Sequence, residues 1–281
     1  MLEFDGVPVV DSYHEDSSAP MASGIVLAPW PNRVASGRWN LNGEPQQLDI
    51  TEPSLGNAIH GLLRFSPYRL ISRTASSILL RAEIFAQHGY PFNLVNEVTY
   101  QLDTSALRVT HNVRNESAEP APIAIGAHPY LRVGNTTVDE LSLSIRVGVE
   151  YLTNDKKVPI DSVPLTIERK NTLANASVAD LNLDTAYGEL ERDHDGFAVH
   201  RLTAPDGSWT ELWQDENFRF VQVFTTDEYP SSIESPGQAG RAIAIEPMTA
   251  VANAFNSGEG LKWLAPGENW ECSWGIRYGR D

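Results

Sequence analysis

Glu246 is the residue that most strongly suggests chemistry in this chain, because an acid stands where an apolar side chain is expected. It ends the run 242–246, in which alanine and isoleucine alternate as in a β-strand with a buried face. Burial of a carboxylate without a partner is costly, so such an acid is usually paired, neutralised or functional. Pro247 follows directly and is predicted to end the strand. A buried structural carboxylate is the ordinary alternative.

Two histidines stand in turn sequences that could bring imidazole rings close to this acid. His60 precedes Gly61, which permits a tight turn, and His128 precedes Pro129, which favours extended backbone at the histidine. Tyr130 is expected to point the same way as His128. Each histidine alone is more often structural, but a carboxylate and histidines in one cleft can move protons on a neutral substrate. Together these residues predict an enzyme with acid–base chemistry.

Three further polar residues are candidates for a binding site, each with a structural alternative. Arg33 lies in a stiff loop, 28–34, which could present its guanidinium as a fixed hydrogen-bond donor. The structural alternative is a surface arginine after a rigid corner. Asp184 stands between apolar positions and would equally serve as a helix cap or an Asx-turn. Gln222 shares a strand face with three phenylalanines of segment 218–224, as in a hydrogen-bonded core or a sugar pocket.

The elements that hold these residues are predicted to be strands, because apolar residues recur with a spacing of two. The clearest alternating runs are 107–113, 141–149 and 270–278. Glycines and prolines lie mostly between such runs, and short helical turns are predicted only near 178–181 and 250–254. The chain has no internal repeat, low-complexity tract or linker. The sequence therefore predicts an all-β fold, a large antiparallel β-sandwich, with residues 1–281 as a single domain.

Composition limits the classes of partner and compartment. The formal net charge of −16, from 37 acidic and 21 basic residues, argues against nucleic acid and against an anionic membrane surface. The single cysteine, Cys272, excludes an internal disulfide and a cysteine-based metal site. The N-terminal residues contain acids and no long apolar core, so no secretory signal is predicted, and no run is long enough to span a membrane. We expect a cytoplasmic protein, either a monomer or a homodimer.

Seven segments, in order along the chain, resemble the aldose 1-epimerase (galactose mutarotase) family. They are NRVASGRW (32–39), IHG (59–61), HPY (128–130), LDTAY (183–187), FVQVFT (220–225), EPMTAVANAFNSG (246–258) and LAPGENWECSWGIRY (264–278). The resemblance covers nearly the whole chain, from Gly24 to Tyr278, and it implies a large antiparallel β-sandwich. It also implies interconversion of the α and β anomers of a hexose, a small-molecule sugar as partner, and no cofactor or metal.

The resemblance assigns a role to each candidate residue. Glu246 matches the general base that takes the proton from the anomeric hydroxyl, and His128 matches the general acid at the ring oxygen. Ring opening gives the free aldehyde, and rotation about C1–C2 before reclosure gives the other anomer. We expect a glutamate with a raised pKa to face a histidine that is protonated near neutrality. The residues matched to the sugar pocket are His60, Asp184, Arg33 and Gln222.

The chain departs from the better-known galactose mutarotases after the His-Gly pair. It has LLR at 62–64 where those proteins carry a second glycine, and in this it resembles divergent bacterial branches that include hexose-phosphate epimerases. A phosphorylated or sulfonated sugar would need cations at the pocket, for which Arg33, Arg38 and Arg64 are candidates. Family members usually have a glycine-containing hairpin before the segment matching 6–13. The resemblance thus leaves open a short form of the family or a misassigned start, and a missing first strand pair would expose a sheet edge.

Three other function classes remain open from the residues. A non-catalytic carbohydrate-binding protein would keep the aromatic residues and the fold but would not need Glu246 and His128 together. A glycoside hydrolase could use Glu246 and Asp184 as its two carboxylates. A metal enzyme using His60, His128 and Asp184 is disfavoured, because these residues have no short ligand spacing.

Overall fold

Two large antiparallel sheets dominate the structure, a computed structural model that describes residues 2–14, 16–231 and 238–281. The strands, numbered in chain order, are β1 Glu3–Phe4, β2 Val7–Pro8, β3 Val26–Leu27, β4 Arg33–Val34, β5 Arg38–Leu41, β6 Glu44–Gln47, β7 Ala58–Ile59, β8 Arg69–Arg73, β9 Ser77–Ile84, β10 Leu94–Leu102, β11 Ala106–Asn115, β12 Ala121–Ile123, β13 Gly126–Ala127, β14 Ser142–Ser144, β15 Val149–Thr153, β16 Pro159–Pro164, β17 Ala176–Ser177, β18 Asp184–Gly188, β19 Ala198–Thr203, β20 Ser208–Gln214, β21 Phe220–Ser231, β22 Gln238–Met248, β23 Lys262–Leu264 and β24 Asn269–Arg280. The helices are α1 Ile167–Leu173 and α2 Ala254–Ser257, with 3-10 turns at Pro20–Ala22, Ala35–Gly37, Val138–Glu140 and Val178–Asp180.

The two sheets pack face to face around one core. The nine-stranded sheet has the order β17-β14-β19-β20-β24-β11-β10-β9-β8, and the seven-stranded sheet has the order β16-β15-β18-β21-β22-β13-β3. Val109 and Val113 of β11 belong to the same buried apolar cluster as Ile243 and Ile245 of β22. Alternate residues of each strand therefore face a shared interior, which is the arrangement of a β-sandwich. The predicted all-β antiparallel sandwich is confirmed. The assignment of residues 1–281 to one domain stays a prediction.

Of the three alternating runs, two are single strands and one is not. The runs 107–113 and 270–278 lie in β11 and β24, which pair with each other. The prediction of one strand over 141–149 was wrong, because the chain passes from the nine-stranded sheet at β14 to the seven-stranded sheet at β15. Ile145 and Val147 are buried in this crossing segment. The alternation of apolar residues therefore continues where the chain forms no strand.

Helical structure is confined to short pieces. The predicted turn at 178–181 is confirmed as a 3-10 turn, whereas α2 begins only at Ala254, where the predicted turn 250–254 was to end. Helix α1 was not predicted, because only Leu173 of its seven residues is buried and no apolar period arises. The hydroxyl of Thr166 caps α1 by accepting a hydrogen bond from the backbone N–H of Arg169. Among the described residues, neither helix has the length or apolar character needed to cross a bilayer.

Strand β22 passes through Pro247 and ends at Met248, so the prediction that this proline ends the strand was wrong. The amide of Ile245 donates to the carbonyl of Pro129, on the side of β13. Pro247, two residues further on, faces the same side, where β13 pairs with β22 only at Gly126 and Met248. A proline at this position removes no ladder hydrogen bond, so the strand tolerates it.

The N-terminal segment lies along the chain beyond β13. The amide of Asp11 donates to the Tyr130 carbonyl, and the amide of Arg132 donates to the Val9 carbonyl, both at 2.9 Å. Arg132 and Asp11 also form a buried ion pair, with Nη1 and Oδ1 separated by 2.9 Å. Residues 9–11 therefore cover the strand edge beside residues 130–132.

Candidate active site

The register of three central strands places three of the candidate polar residues on one face of the seven-stranded sheet. Gln222 of β21 lies opposite Glu246 of β22, and Asp184 of β18 lies opposite Phe224 of β21. Because side chains alternate along a strand, Glu246 shares its face with Ala242 and Ala244, while the isoleucines of β22 fill the core on the other face. The alanine side chains pack with Tyr130 and Tyr229 in a small apolar cluster. Glu246 is buried, with 2% of its surface exposed.

His128 meets Glu246 from the neighbouring strand. It directly follows β13, and its Nε2 lies 3.4 Å from Oε1 of Glu246. The ring of Tyr130 stacks against the imidazole with centroids 5.1 Å apart, as expected for two side chains that point the same way. The structure thus brings together the acid and the histidine that the sequence singled out.

His60 reaches the same place from a left-handed turn. Its φ is 64°, and its ring packs edge-on against that of His128, with centroids 5.5 Å apart. Gly61 is required at the next position, because a Cβ there would lie 2.1 Å from the carbonyl oxygen of Ala28. The amides of Leu62 and Leu63 donate to that carbonyl, which holds the turn close to the loop of Arg33.

Asp184, Gln222 and Arg33 form a second polar group beside this cluster. The side-chain amide of Gln222 donates to Oδ1 of Asp184 at 2.7 Å, and Nη1 of Arg33 lies 3.8 Å from Oδ2 of the same carboxylate. Nζ of Lys157 lies 3.6 Å from the same Oδ2. Asp184 begins β18, so it is neither the helix cap nor the Asx-turn that the sequence left open. All six candidate residues therefore lie near one another beside one face of the seven-stranded sheet, with Arg33 and His60 supplied by the small β4–β7 sheet and the turn that follows it.

Some details of the predicted pocket are different. Phe220 and Phe224 do share the face of Gln222, but Phe218 precedes β21 and is fully buried in the main core. Arg38 lies away from the other candidates and donates to the exposed Gln47. Arg64 lies close enough to His60 and His128 to lower the pKa of both imidazoles.

Burial sets the protonation states of the central residues. It raises the pKa of Glu246 well above the ordinary value, and the nearby charge of Asp184 raises it further. Burial lowers the pKa of His128 to about 3 and that of His60 well below its ordinary value. Both effects favour the uncharged forms, so burial disfavours a carboxylate at Glu246 together with an imidazolium at His128. The expectation of a protonated His128 in the resting protein was wrong, because the site is more completely buried than we predicted.

Three buried polar atoms of this cluster have no hydrogen-bond partner within the described part of the chain: Nδ1 of His60, Nδ1 of His128 and Oε2 of Glu246. Buried polar atoms without partners are costly, and their presence in one cluster indicates a place for a polar ligand. Elsewhere on the protein, a surface cavity of about 580 Å³ lies on the outer face of the nine-stranded sheet. Its charged groups already pair with each other, as Arg201 does with Glu211. We therefore place the candidate site at Glu246.

Two residues at the site were missed by the sequence reasoning. Glu52 accepts hydrogen bonds from Arg33, and Lys157 pairs with Asp184. Neither carried a signal, since Glu52 stands in a polar loop and Lys157 in a charged turn, where solvent-exposed side chains are the ordinary expectation. In the described ranges, no group of three His, Cys, Asp or Glu side chains is arranged to hold a metal ion.

Nearly the whole chain is similar to known proteins. A sequence model of the aldose 1-epimerase family matches residues 4–277. The chain belongs to the aldose 1-epimerase family. Within it, the chain is 30% identical over 276 residues to YihR, an uncharacterized protein of Escherichia coli strain K12, covering 95% of this chain and 82% of that protein. It is 27% identical to the galactose mutarotase of Homo sapiens over 141 residues, 49% of this chain and 39% of that protein.

Solved structures show the same fold. A galactose mutarotase-like protein from Clostridium acetobutylicum superposes with a TM-score of 0.83 at 19% identity, covering 98% of this chain and 87% of that chain. A homologue from C. elegans gives a TM-score of 0.82 at 15% identity, covering 97% and 88%. The chain has the galactose mutarotase-like fold, and its family consists of aldose 1-epimerases.

Proposed function

We propose that this protein is an aldose 1-epimerase that interconverts the α and β anomers of a hexose. The observation that carries the proposal is the 3.4 Å contact between Nε2 of His128 and Oε1 of Glu246, on a face with unpartnered buried polar atoms. A base and an acid held together suit a reaction that removes one proton from a sugar and adds one elsewhere. Family membership and the galactose mutarotases among the relatives support the same activity.

The proposed mechanism needs one proton on the pair. When this proton lies on His128, Glu246 is a carboxylate and takes the proton of the O1 hydroxyl. His128 gives its proton to O5, the C1–O5 bond breaks, and the open-chain aldehyde forms. Rotation about C1–C2 and reversal of both transfers close the ring as the other anomer. When the proton instead lies on Glu246, the uncharged arrangement that burial favours, one transfer across the 3.4 Å contact gives this state.

Polarimetry tests the proposal directly. With freshly dissolved α-D-glucose or α-D-galactose, we expect the protein to accelerate the approach to the equilibrium rotation. A non-catalytic carbohydrate-binding protein would bind the sugar and leave the rate unchanged. Release of reducing sugar from an aryl glycoside would instead favour a glycoside hydrolase.

The pH dependence of kcat/KM should reflect the shared proton. The pair becomes inactive when it gains a second proton, and this occurs only as pH falls toward the lowered His128 pKa of about 3. It also becomes inactive when it loses its one proton, at the raised pKa of Glu246. We therefore expect no acid limb near pH 6.5 in a profile measured from pH 5.5 to 8. A tenfold loss of kcat/KM per pH unit below 6.5 would contradict this assignment.

A second candidate substrate is a hexose that carries a phosphate or sulfonate, and Arg64 favours it. In the described residues Arg64 forms no ion pair or side-chain hydrogen bond, its Nε is buried without a partner, and its guanidinium lies over the exposed Phe65 ring. Arg33, in contrast, is already paired with Glu52. Arg64 is thus the cation near the imidazoles that is available to an anionic group.

Arg64→Gln separates the two substrate classes. If the substrate is anionic, we expect KM for a 6-phosphorylated or sulfonated hexose to rise about 10- to 100-fold, since hydrogen bonds to charged groups contribute about 1.5–3 kcal/mol. KM for the free hexose should change little. Arg38→Gln, an exposed arginine away from the site, is the matched control. Equal changes for both substrates would remove Arg64 as an anion-binding residue.

A further inference from the structure

Glu52 holds Arg33 in a single orientation. Its carboxylate accepts two hydrogen bonds of 2.9 Å, from Nε and from Nη2 of Arg33. This paired contact fixes the plane of the guanidinium. The remaining nitrogen, Nη1, is then directed to Asn32 Oδ1 at 3.3 Å and to Asp184 Oδ2 at 3.8 Å.

Glu52 is itself held by a fully buried side chain, that of Asn57. The Asn57 amide nitrogen donates to Oε2 of Glu52 at 3.1 Å and to the carbonyl oxygen of Lys156 at 2.9 Å. Its amide oxygen accepts from the backbone N–H of Ser36 at 3.3 Å. The carbonyl of Glu52 accepts three further backbone hydrogen bonds from within the same loop. The carboxylate therefore has little freedom to turn away from Arg33.

The same contacts place the second cation of the site. Lys156 is anchored by Asn57, and its neighbour Lys157 pairs with Asp184. Along the row Glu52, Arg33, Asp184 and Lys157, negative and positive charges alternate and balance. Without the charge of Glu52, Arg33 would lose its stronger carboxylate partner, and Asp184 would be the remaining one. Arg33 would then compete with the amide of Gln222 for Asp184.

We propose that Glu52 is a positioning residue for sugar binding, which acts by holding Arg33 and thereby leaves Asp184 to Gln222 and the substrate. The inference rests on the proposed function, because it assigns the Arg33–Asp184 group to sugar hydroxyls. Glu52 does not contact Glu246 or His128 in the structure, so the effect is on binding and not on proton transfer.

Kinetics of Glu52→Gln test this role. We expect KM to rise about 10-fold or more, as for the loss of a hydrogen bond to a charged group, while kcat changes less than about threefold. Glu52→Asp retains the charge on a shorter side chain and should give an intermediate KM. It also serves in place of Glu52→Gln if the latter unfolds. The matched control is Glu211→Gln, which breaks a similar pair with Arg201 on the outer face of the other sheet and should leave KM unchanged.

A double-mutant cycle shows whether Glu52 acts through Arg33. In the background of Arg33→Gln, the Glu52 substitution should raise KM no further. An undiminished effect in that background, or a wild-type KM for Glu52→Gln, would overturn the inference while the mutarotase activity stands. If the wild-type protein accelerates the mutarotation of no hexose, free or anionic, the proposed function itself fails.

Discussion

Glu246→Gln is expected to lower kcat for mutarotation about 10²–10⁴-fold, the usual contribution of a general acid–base group. Glutamine has nearly the same shape but cannot take the O1 proton. His128→Asn should lower kcat by a similar factor, because the ring oxygen then lacks its proton donor. In the double variant the losses should not add, since the two groups hold one proton between them.

Two matched variants distinguish loss of chemistry from loss of structure. Glu211→Gln replaces another buried carboxylate, and His200→Asn replaces another fully buried histidine, both in the nine-stranded sheet. Both should retain wild-type kcat in polarimetry. If Glu246→Gln and His128→Asn both kept the full wild-type acceleration, the assigned roles would be wrong.

The protein is expected to lose stability steeply as pH falls below 6.5, through His111 and His200 of the core. Burial lowers the pKa of each to about 4. His111 also accepts a hydrogen bond from the indole N–H of Trp274, so its Nε2 is unprotonated in the folded state. Both residues thus favour folding fully above pH 6.5. This contribution is lost as pH falls from 6.5 to about 4, because the unfolded chain binds protons that the folded state excludes.

The expected size of this effect is about 2 kcal/mol at pH 5 for each histidine, or about 4 kcal/mol for both, at 1.36 kcal/mol per pKa unit. Urea unfolding at pH 7.5 and pH 5.0 measures the change in the free energy of unfolding. In His200→Leu the difference between the two pH values should be smaller by about 2 kcal/mol. The exposed His194 is the control, and His194→Leu should leave the difference as in wild type. An equal pH dependence in all three proteins would contradict the prediction.

The alternation of apolar residues predicted the β-sandwich, but it did not distinguish a strand from a segment that crosses between the two sheets. The segment 141–149 alternates throughout, since its apolar side chains face the same interior before and after the chain changes sheets. Helix α1 shows no helical spacing of apolar residues, because only one of its residues is buried. Such elements are decided by what packs against them, which the local sequence does not contain.

The candidate site was partly visible in the sequence for a similar reason. His60 and His128 stand beside residues that restrict or release the backbone, and Asp184 and Gln222 interrupt apolar strands, so each leaves a local trace. Glu52 leaves no local trace in the sequence, because its proposed role depends on a contact with Arg33, 19 residues away. A polar residue that positions another polar residue far away in the sequence is recognised only in the folded structure.

The sequence alone determined the sandwich class, the acid at position 246 and the two histidine turns, because these depend on spacing and on backbone restrictions between neighbours. Only the tertiary structure decided how these groups meet. Strand register put Gln222 opposite Glu246, and the path of β13 brought His128 to 3.4 Å from that acid. Complete burial then favoured the uncharged form of both groups. Register, distance and desolvation depend on residues far apart in the chain, and no local pattern encodes them.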